Sequence, residues 1–327
     1  MNWCGKRVLV TGAGGFIGSH LVERFVQLGA RTRALVHYRA QGTWGWLDHL
    51  PCRKEIEVCA GDLVDRDSVF RAVKDQELVV HLGALIAIPY SYEAPLSYVR
   101  TNVEGTLNVL QAAREWGVER LIHTSTSEVY GTAKRVPIAE DHPLQGQSPY
   151  AASKIAADKM VEAFHLSFGI PVVTIRPFNT YGPRQSARAV IPTIITQCLA
   201  GRKVRLGNVG TTRDMNFVSN TVEGFIRAAV ATSALGRTVN LGSGREITIR
   251  DLALLIGTLL GETVEIMTEE QRLRPKASEV ERLLADSTLA QQLLDWTPAV
   301  SLEEGLRATI EWIRKHPEFY RSEQYAV

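Results

Sequence analysis

Five residues in the middle of the chain have side chains suited to proton transfer. Thr126, Ser127 and Glu128 stand together, and Tyr150 and Lys154 follow in a Tyr-x-x-x-Lys pattern. Positions i and i+4 share one face of a helix, so the ammonium would lie beside the phenol. A nearby positive charge lowers the pKa of a phenol, which suits a tyrosine to act as a base near neutral pH. Alone, the pattern is more typical of surface residues, and its meaning depends on the elements around it.

Those elements are a short strand and a helix. Residues 120–122 read as a buried strand, and the hydroxyls and the carboxylate follow it. In open α/β sheets, ligands bind at the carboxyl ends of the strands. Ser148-Pro149 marks the start of the helix, with serine as the N-cap and proline at the first helical position. We therefore expect the polar run to face a ligand, with Tyr150 and Lys154 on the helix that follows.

The beginning of the chain has the pattern of a dinucleotide-binding unit. An apolar strand over residues 6–10 runs into Gly12-x-x-Gly15-x-x-Gly18, which opens an amphipathic helix to about Gly29. The first glycine permits a tight turn, the second lets a pyrophosphate approach the backbone, and the third permits close helix–strand packing. Because the turn stands between the first strand and the first helix of a β-α-β pattern, it predicts a bound dinucleotide.

The choice between NAD and NADP stays open. The second strand, residues 32–37, is not followed by the Asp or Glu that binds an NAD ribose. Arg39 or Arg33 could meet a 2′-phosphate, or both could be solvated surface charges. Asp62, after the third strand, is a candidate for the adenine amino group. The predicted cofactor-binding residues are Gly12, Gly15, Phe16, Ile17, Gly18, Arg39, Asp62, Leu63, Leu82, Ala84, Asn102, Ser125, Tyr150, Lys154 and Pro177.

Alternating strand and helix patterns predict an α/β fold with a Rossmann, doubly wound parallel sheet. After residue 178 the pattern becomes mostly helical, and a further strand over residues 238–241 returns to the sheet. A loop with Trp44-Gly45-Trp46 is interpreted only as a hydrophobic anchor. Predicted segments include strands near 55–59, 78–82, 171–177, 204 and 264, and helices at 96–116, at 190–200 and from residues 220, 248 and 301.

The composition excludes several classes of function. A formal net charge of +2 gives no electrostatic reason to expect binding to nucleic acid or an anionic membrane. The four cysteines form no C-x-x-C pair, which indicates free thiols in a reducing cytoplasm and no metal site. No segment reads as a membrane span, and a strand from Arg7 leaves no room for a signal peptide. We expect a cytoplasmic enzyme.

Two helices carry more apolar surface than a single buried face requires. They lie near residues 97–116 and 149–168, and each has two apolar sides. A helix of this kind is either deeply buried or shared with a partner, which predicts a homodimer through these helices.

The motifs together resemble the extended short-chain dehydrogenase/reductase superfamily, nearly from end to end. The resemblance implies a Rossmann domain at residues 1–178 and 215–246, and a smaller, mostly helical sugar-nucleotide domain at 179–214 and 247–327. It also implies a tightly held NAD(P) and a nucleotide-sugar substrate. The motifs are Gly12-x-x-Gly15-x-x-Gly18, Ser125-Thr126, Tyr150-x-x-x-Lys154, Arg176-Pro177-x-Asn179-x-Tyr181-Gly182-Pro183 and Asn240-x-Gly242-Ser243-Gly244.

A finer resemblance rests on Glu128, where simple 4-epimerases tend to lack a carboxylate. Thr126-Ser127-Glu128 is similar to GDP-mannose 4,6-dehydratases and UDP-glucuronate decarboxylases, whereas dTDP-glucose 4,6-dehydratases have Asp at the position of Ser127. The sequence around these motifs is most similar to the legionaminic-acid-type 4,6-dehydratases, which act on nucleotide-activated N-acetylglucosamine. The segments that carry this similarity are residues 88–92, 143–150, 185–192 and Arg274-Pro275-x-x-Ser278-Glu279-Val280-Glu281-Arg282.

The resemblance implies a lyase that oxidises C4 of the sugar, removes water across C5 and C6 and returns hydride to C6. Tyr150 would deprotonate the 4-hydroxyl, Glu128 would take the C5 proton, and Ser127 or protonated Glu128 would donate to the leaving hydroxyl. A decarboxylase, a 4-epimerase and a non-catalytic nucleotide sensor are the alternatives. The predicted substrate-binding residues are Ser125, Thr126, Asn179, Arg188, Arg213 and Arg274, the last two as diphosphate ligands.

Overall fold

A seven-stranded sheet organises the computed structural model, which describes residues 2–320. The strands are β1 Arg7–Thr11, β2 Arg31–Val36, β3 Glu57–Ala60, β4 Leu78–His81, β5 Arg120–Thr124, β6 Val172–Pro177, β7 Asn179–Tyr181, β8 Lys203–Leu206, β9 Thr212–Phe217, β10 Thr238–Leu241, β11 Glu246–Thr248 and β12 Glu265–Thr268. The large sheet has the order β3-β2-β1-β4-β5-β6-β10. Every neighbouring pair in it is parallel, which confirms the predicted Rossmann fold.

Helices cover both faces of this sheet. They are α1 Phe16–Gln27, α2 Arg66–Val73, α3 Ile88–Glu93, α4 Pro95–Tyr98, α5 Gly105–Glu115, α6 Pro149–Phe168, α7 Val190–Ala200, α8 Val218–Val230, α9 Ile249–Leu260, α10 Thr288–Leu294 and α11 Leu302–Lys315. Successive residues of a strand point to opposite faces. Val8 and Val10 therefore pack in the core beside α1 and α8, and Leu9 packs in the core beside α2, α5 and α6. Burial on both faces explains why the strands read as continuous apolar runs.

A second hydrophobic core lies beyond the large sheet. It is built from α7, α9 and α11 and from the small sheets β11-β9-β7 and β12-β8. The proposed division into two domains at residues 178, 215 and 246 stays a prediction, and its last residues, 321–327, lie outside the described residues. No helix within residues 2–320 combines the length and the apolar character needed to cross a membrane.

Two predicted elements differ from the structure. The helix predicted over residues 96–116 is three pieces: α4, a π-helical turn Val99–Glu104 and α5. Inside that turn, the buried Asn102 side chain bonds both the amide and the carbonyl of Leu85. β3 begins at Glu57, later than predicted, because Arg53–Glu55 form a 3-10 turn.

Candidate active site

One cavity of about 1000 Å³ extends from the glycine turn after β1 to the second core. It opens at the carboxyl ends of β1, β4, β5 and β6, as expected for an open α/β sheet. Most predicted site residues line it. These are Gly12, Gly15, Phe16, Ile17, Gly18, Arg39, Leu82, Ala84, Ser125, Thr126, Ser127, Glu128, Tyr150, Pro177, Asn179, Arg188, Arg213 and Arg274.

Four predicted site residues lie outside this lining. Lys154 is buried behind it, and Asn102 bonds Leu85 and Ser153. Leu63 packs against Gly105. The Asp62 carboxylate accepts a hydrogen bond from the Val64 amide and lies 3.8 Å from His37, which does line the cavity. Contact of Asp62 with adenine stays a prediction.

The glycine turn has the shape that a dinucleotide requires. Gly12 has φ +66°, and a Cβ there would lie 2.8 Å from the Gly83 amide nitrogen. A Cβ on Gly18 would overlap the Gly12 carbonyl, whereas a Cβ on Gly15 would meet only that carbonyl, at 3.2 Å. The backbone is thus packed where the turn is tight and open to the cavity at Gly15, so its residues fit a bound pyrophosphate.

Of the two arginines considered for a 2′-phosphate, only one lines the cavity. The Arg33 guanidinium pairs with Glu57 at 2.9 Å and bonds the carbonyls of Ala72 and Lys74. Arg39 is exposed and lines the cavity. The alternative that Arg33 binds a phosphate is therefore wrong, and Arg39 keeps its place as a prediction.

Tyr150 and Lys154 lie on α6 as predicted. The Ser148 hydroxyl caps this helix by accepting from the Ala151 amide at 3.1 Å. The Lys154 ammonium donates to the Thr124 carbonyl at 2.7 Å. Burial lowers the pKa of Lys154 to about 8, although the negative charge of Asp158 raises it.

The expectation that Lys154 lowers the pKa of Tyr150 is wrong for this structure. Burial raises the pKa of Tyr150, more than its hydrogen bond with Thr126 lowers it. The reason is positional, because the Lys154 ammonium is directed to the Thr124 backbone.

Glu128 faces the same cavity as Tyr150. It lies in a 3-10 turn, Ser127–Tyr130, and its own amide donates to the Thr126 hydroxyl at 3.2 Å. Its carboxylate interacts electrostatically with Tyr150 and with Arg213. The Glu128 carboxylate accepts no hydrogen bond from the residues that the structure describes, so it is not engaged by a backbone amide.

The predicted diphosphate ligands lie close together around a glutamate. Arg213 Nη2 is 3.4 Å from Glu279 Oε1, and Arg274 Nη1 is 3.7 Å from the same oxygen. Arg282, at the end of the same motif as Arg274, instead pairs with Glu246 at the surface. The sequence did not indicate that Glu279 would stand between the two arginines.

Sequence reasoning also missed a buried charge network beneath the cavity. The Asp158 carboxylate accepts from the Ser125 hydroxyl at 2.7 Å and pairs with Arg176 at 2.9 Å. The Ser125 hydrogen is thus used inside the protein, and Thr126 is the hydroxyl that meets Tyr150. The sequence signal that could have indicated this network is the spacing of Asp158, which follows Lys154 by one helical turn.

The tryptophan loop covers the glycine turn. The Trp46 amide donates to the Gly14 carbonyl at 3.0 Å. The Trp46 ring meets Phe319 with centroids 4.7 Å apart and Trp312 of α11 at 6.0 Å. The loop is therefore an anchor, as predicted, and it joins the dinucleotide turn to the second core.

Comparison with protein families gives a match along most of the chain. Residues 9–309 match the model of the GDP-mannose 4,6 dehydratase family. The chain belongs to this family. Within residues 2–320, no group of three or more His, Cys, Asp or Glu side chains is arranged to hold a metal ion.

The proteins similar to this chain bear the names of different reactions. A dTDP-glucose 4,6-dehydratase of Streptomyces griseus is 35% identical over 96% of this chain and 95% of its own. A UDP-glucose 4-epimerase of Mycolicibacterium smegmatis is 34% identical over 94% of this chain and 98% of its own. The chain is thus a nucleotide-sugar-modifying enzyme of the extended short-chain dehydrogenase/reductase superfamily, and its resemblance to the legionaminic-acid type stays a prediction.

A solved structure supports the cofactor. DesIV, the dTDP-glucose 4,6-dehydratase of Streptomyces venezuelae, was crystallised with NAD bound. It has a TM-score of 0.86 and 29% identity, over 96% of this chain and 99% of DesIV. The cofactor of this enzyme is NAD(P).

Proposed function

We propose that this enzyme is a nucleotide-sugar 4,6-dehydratase whose substrate is an NDP-hexose, with NDP-N-acetylglucosamine as the preferred candidate. The observation that carries the proposal is the shared cavity of Glu128 and Tyr150. A phenol and a carboxylate facing one hexose supply two separate bases, one for the 4-hydroxyl and one for C5.

The first base is Tyr150, which takes the proton of the 4-hydroxyl. Thr126, whose hydroxyl meets Tyr150, holds the same oxygen in place. Lys154, directed to the Thr124 carbonyl in this structure, would supply positive charge to the phenolate once that forms. Bound NAD(P), held in the turn of Gly12, Gly15 and Gly18, supplies the reversible uptake of a hydride. These groups bring about the oxidation with which the proposed reaction begins.

The second base is Glu128. A ketone at C4 acidifies the C5 proton, and a carboxylate that accepts no hydrogen bond from residues 2–320 is free to accept it. Ser127, which is buried and lines the cavity, or the newly protonated Glu128 donates to the C6 hydroxyl as it leaves as water. The diphosphate of the substrate contacts Arg213 and Arg274, and Asn179 and Arg188 contact the sugar nucleotide elsewhere in the cavity.

A nucleotide-sugar decarboxylase is the second candidate, and it needs a cation for a C6 carboxylate. Arg184 is unsuitable because its guanidinium is buried, paired with Glu23 and outside the cavity lining. Arg188 and Arg274 do line the cavity and could supply this cation, so the experiment below includes the decarboxylase reaction. A 4-epimerase would leave Glu128 without a role.

Mass spectrometry on a panel of sugar nucleotides distinguishes the three reactions. The holoenzyme is incubated separately with UDP-, GDP- and dTDP-linked hexoses, N-acetylhexosamines and hexuronates. A 4,6-dehydratase gives a product lighter by one water, a decarboxylase one lighter by carbon dioxide, and an epimerase one of unchanged mass. Absence of the dehydrated product from every neutral sugar nucleotide contradicts the proposal.

A further inference from the structure

The buried carboxylate of Asp158 has no part in the reaction as described so far. It lies on α6 one turn after Lys154 and two turns after Tyr150, and the residue is 6% exposed. A buried carboxylate is costly unless it is paired and hydrogen-bonded, so its retention under an active site requires partners. These partners lie on β5 and β6.

Four contacts hold the Asp158 carboxylate. Oδ2 accepts from the Ser125 hydroxyl at 2.7 Å, from Arg176 Nη2 at 2.9 Å and from Arg176 Nε at 3.2 Å. Oδ1 lies 3.1 Å from His123 Nε2. The segment from His123 to Ser125, which leads directly into Thr126 and Glu128, is thereby tied to the helix that carries Tyr150 and Lys154.

The charges around Asp158 are unbalanced without it. Lys154 and Arg176 are both buried cations, and Asp158 is the anion that faces them. Burial lowers the pKa of His81 and of His123, so both neighbouring imidazoles are neutral. On α6 itself the other titratable neighbour is Tyr150, whose pKa is raised by burial.

Asp158 is ionised in this setting. Burial alone would raise its pKa, but the His123 hydrogen bond and the charges of Arg176 and Lys154 lower the pKa to about 2. Its charge in turn opposes the lowering of the Lys154 pKa by burial.

We propose that Asp158 is a positioning residue of the active site, which holds the end of β5 against α6 and thereby keeps the Thr124 carbonyl beside the Lys154 ammonium. Its catalytic consequence rests on the proposed proton transfer by Tyr150. The effect of Asp158 on Lys154 does not depend on that proton transfer, because the two charges interact in the folded protein with or without substrate.

A double-mutant cycle on stability tests the coupling between Asp158 and Lys154, whose charges interact, without any turnover. Urea unfolding is measured for the wild type, Asp158→Asn, Lys154→Met and the double variant. We expect Asp158→Asn to lower the folding equilibrium constant about tenfold more in the wild type than in Lys154→Met, the factor that corresponds to one pKa unit. Equal losses in both backgrounds overturn the proposal. Should Asp158→Asn alone fail to fold, the double variant is expected to fold, and its failure also overturns the proposal.

The pH dependence of sugar oxidation tests the catalytic consequence. In single turnovers followed by reduced-nicotinamide absorbance, Asp158→Asn is expected to lower the alkaline midpoint by about one unit, because Lys154 loses its proton more readily. Above both midpoints the rate falls about tenfold. Asp158→Glu retains the charge and is expected to keep the wild-type midpoint.

Tyr130→Phe is the matched control for loss of structure. It removes the bonds of Tyr130 to Arg176 and Asn240 in the same network and leaves the Asp158 charge in place. It is expected to lower stability without moving the midpoint. An equal shift in Tyr130→Phe and Asp158→Asn overturns the proposal. A wild-type protein that oxidises no sugar nucleotide removes the proposed function, while the stability cycle still decides on Asp158.

Discussion

At the scale of single residues, the site separates two proton-transfer groups by their surroundings. Tyr150 is almost fully buried, and its hydroxyl meets Thr126, whereas Glu128 is half-buried beside Arg213. Burial raises the pKa of the Tyr150 phenol, whereas the Glu128 carboxylate lies near the positive charge of Arg213. The two groups are therefore suited to successive steps on one substrate.

Replacing Glu128 by Gln is expected to stop the reaction after oxidation and before loss of water. Glutamine keeps the size and polarity of the side chain and cannot accept the C5 proton, so we expect turnover to fall by a factor of about 10² to 10⁴. Mass spectrometry should find no dehydrated product, and reduced nicotinamide should persist on the enzyme.

Glu265→Gln, the same change on the exposed face of β12, serves as the control and should leave turnover unchanged. Dehydration at the wild-type rate in Glu128→Gln would remove this carboxylate from the mechanism.

At the scale of elements, the glycine turn shows what a local pattern can predict. Strand, turn and helix follow one another in the sequence, and a Cβ on Gly15 or Gly18 would meet the Gly12 carbonyl within the turn itself. The same holds for the cap of α6 by Ser148 and for the polar run after β5. These features were predictable because each depends on neighbours in the chain.

Features that depend on distant contacts were not predictable in this way. The π-helical turn before α5 contains Asn102, which is bonded to Leu85, and the Trp46 loop closes on Gly14 and on Phe319. The direction of the Lys154 ammonium and the Asp158 network depend on burial, which charge and spacing alone do not reveal. The missed parts of the site are thus long-range contacts of buried polar groups.

Replacing Gly12 by Ala tests whether the turn is held by packing as well as by its φ angle. The added Cβ would press on the backbone of Gly83, so we expect a loss of several kcal/mol, about 2–4, and purification without NAD(P). Urea unfolding and the ratio of absorbance at the nucleotide and protein maxima measure both effects.

Gly261→Ala is the matched control, because Gly261 also has positive φ and has nothing within 4 Å of the added Cβ. It should lose only about 1 kcal/mol from backbone strain and keep its cofactor. Similar losses for both variants would show that the contact with Gly83 does not matter.

At the scale of the whole molecule, an aromatic cluster joins the two cores. Trp46, His49, Trp312 and Phe319 meet edge to face, and Arg184 lies over Trp312 while it pairs with Glu23 of α1. Edge-to-face contacts of this kind stabilise the folded protein beyond the effect of the area they bury. The cluster therefore couples the glycine turn to α11 through side chains far apart in the sequence.

Trp46→Ala is expected to lower the free energy of unfolding by about 2–3 kcal/mol and to speed the release of NAD(P), since the loop over Gly14 loses its attachment. Thermal unfolding and the rate of cofactor loss on dilution measure the two effects. Trp46→Phe keeps an aromatic edge and should recover most of both. A cofactor release rate unchanged by Trp46→Ala would show that the cluster serves stability alone.

The predicted homodimer is the last property of the whole molecule, and the surfaces of α5 and α6 favour it. Val99 is 51% exposed just before α5, and Ala156 and Ala163 are exposed on α6, so these apolar side chains are open in the single chain. Ala163→Arg places a charge on that face without disturbing the core, and burying an unpaired guanidinium is costly. We expect it to sediment as a monomer at concentrations where the wild type is a dimer. Ala200→Arg, on an exposed alanine at the end of α7, should remain dimeric. A wild type that sediments as a monomer at all concentrations, or a dimeric Ala163→Arg, contradicts an interface through α6.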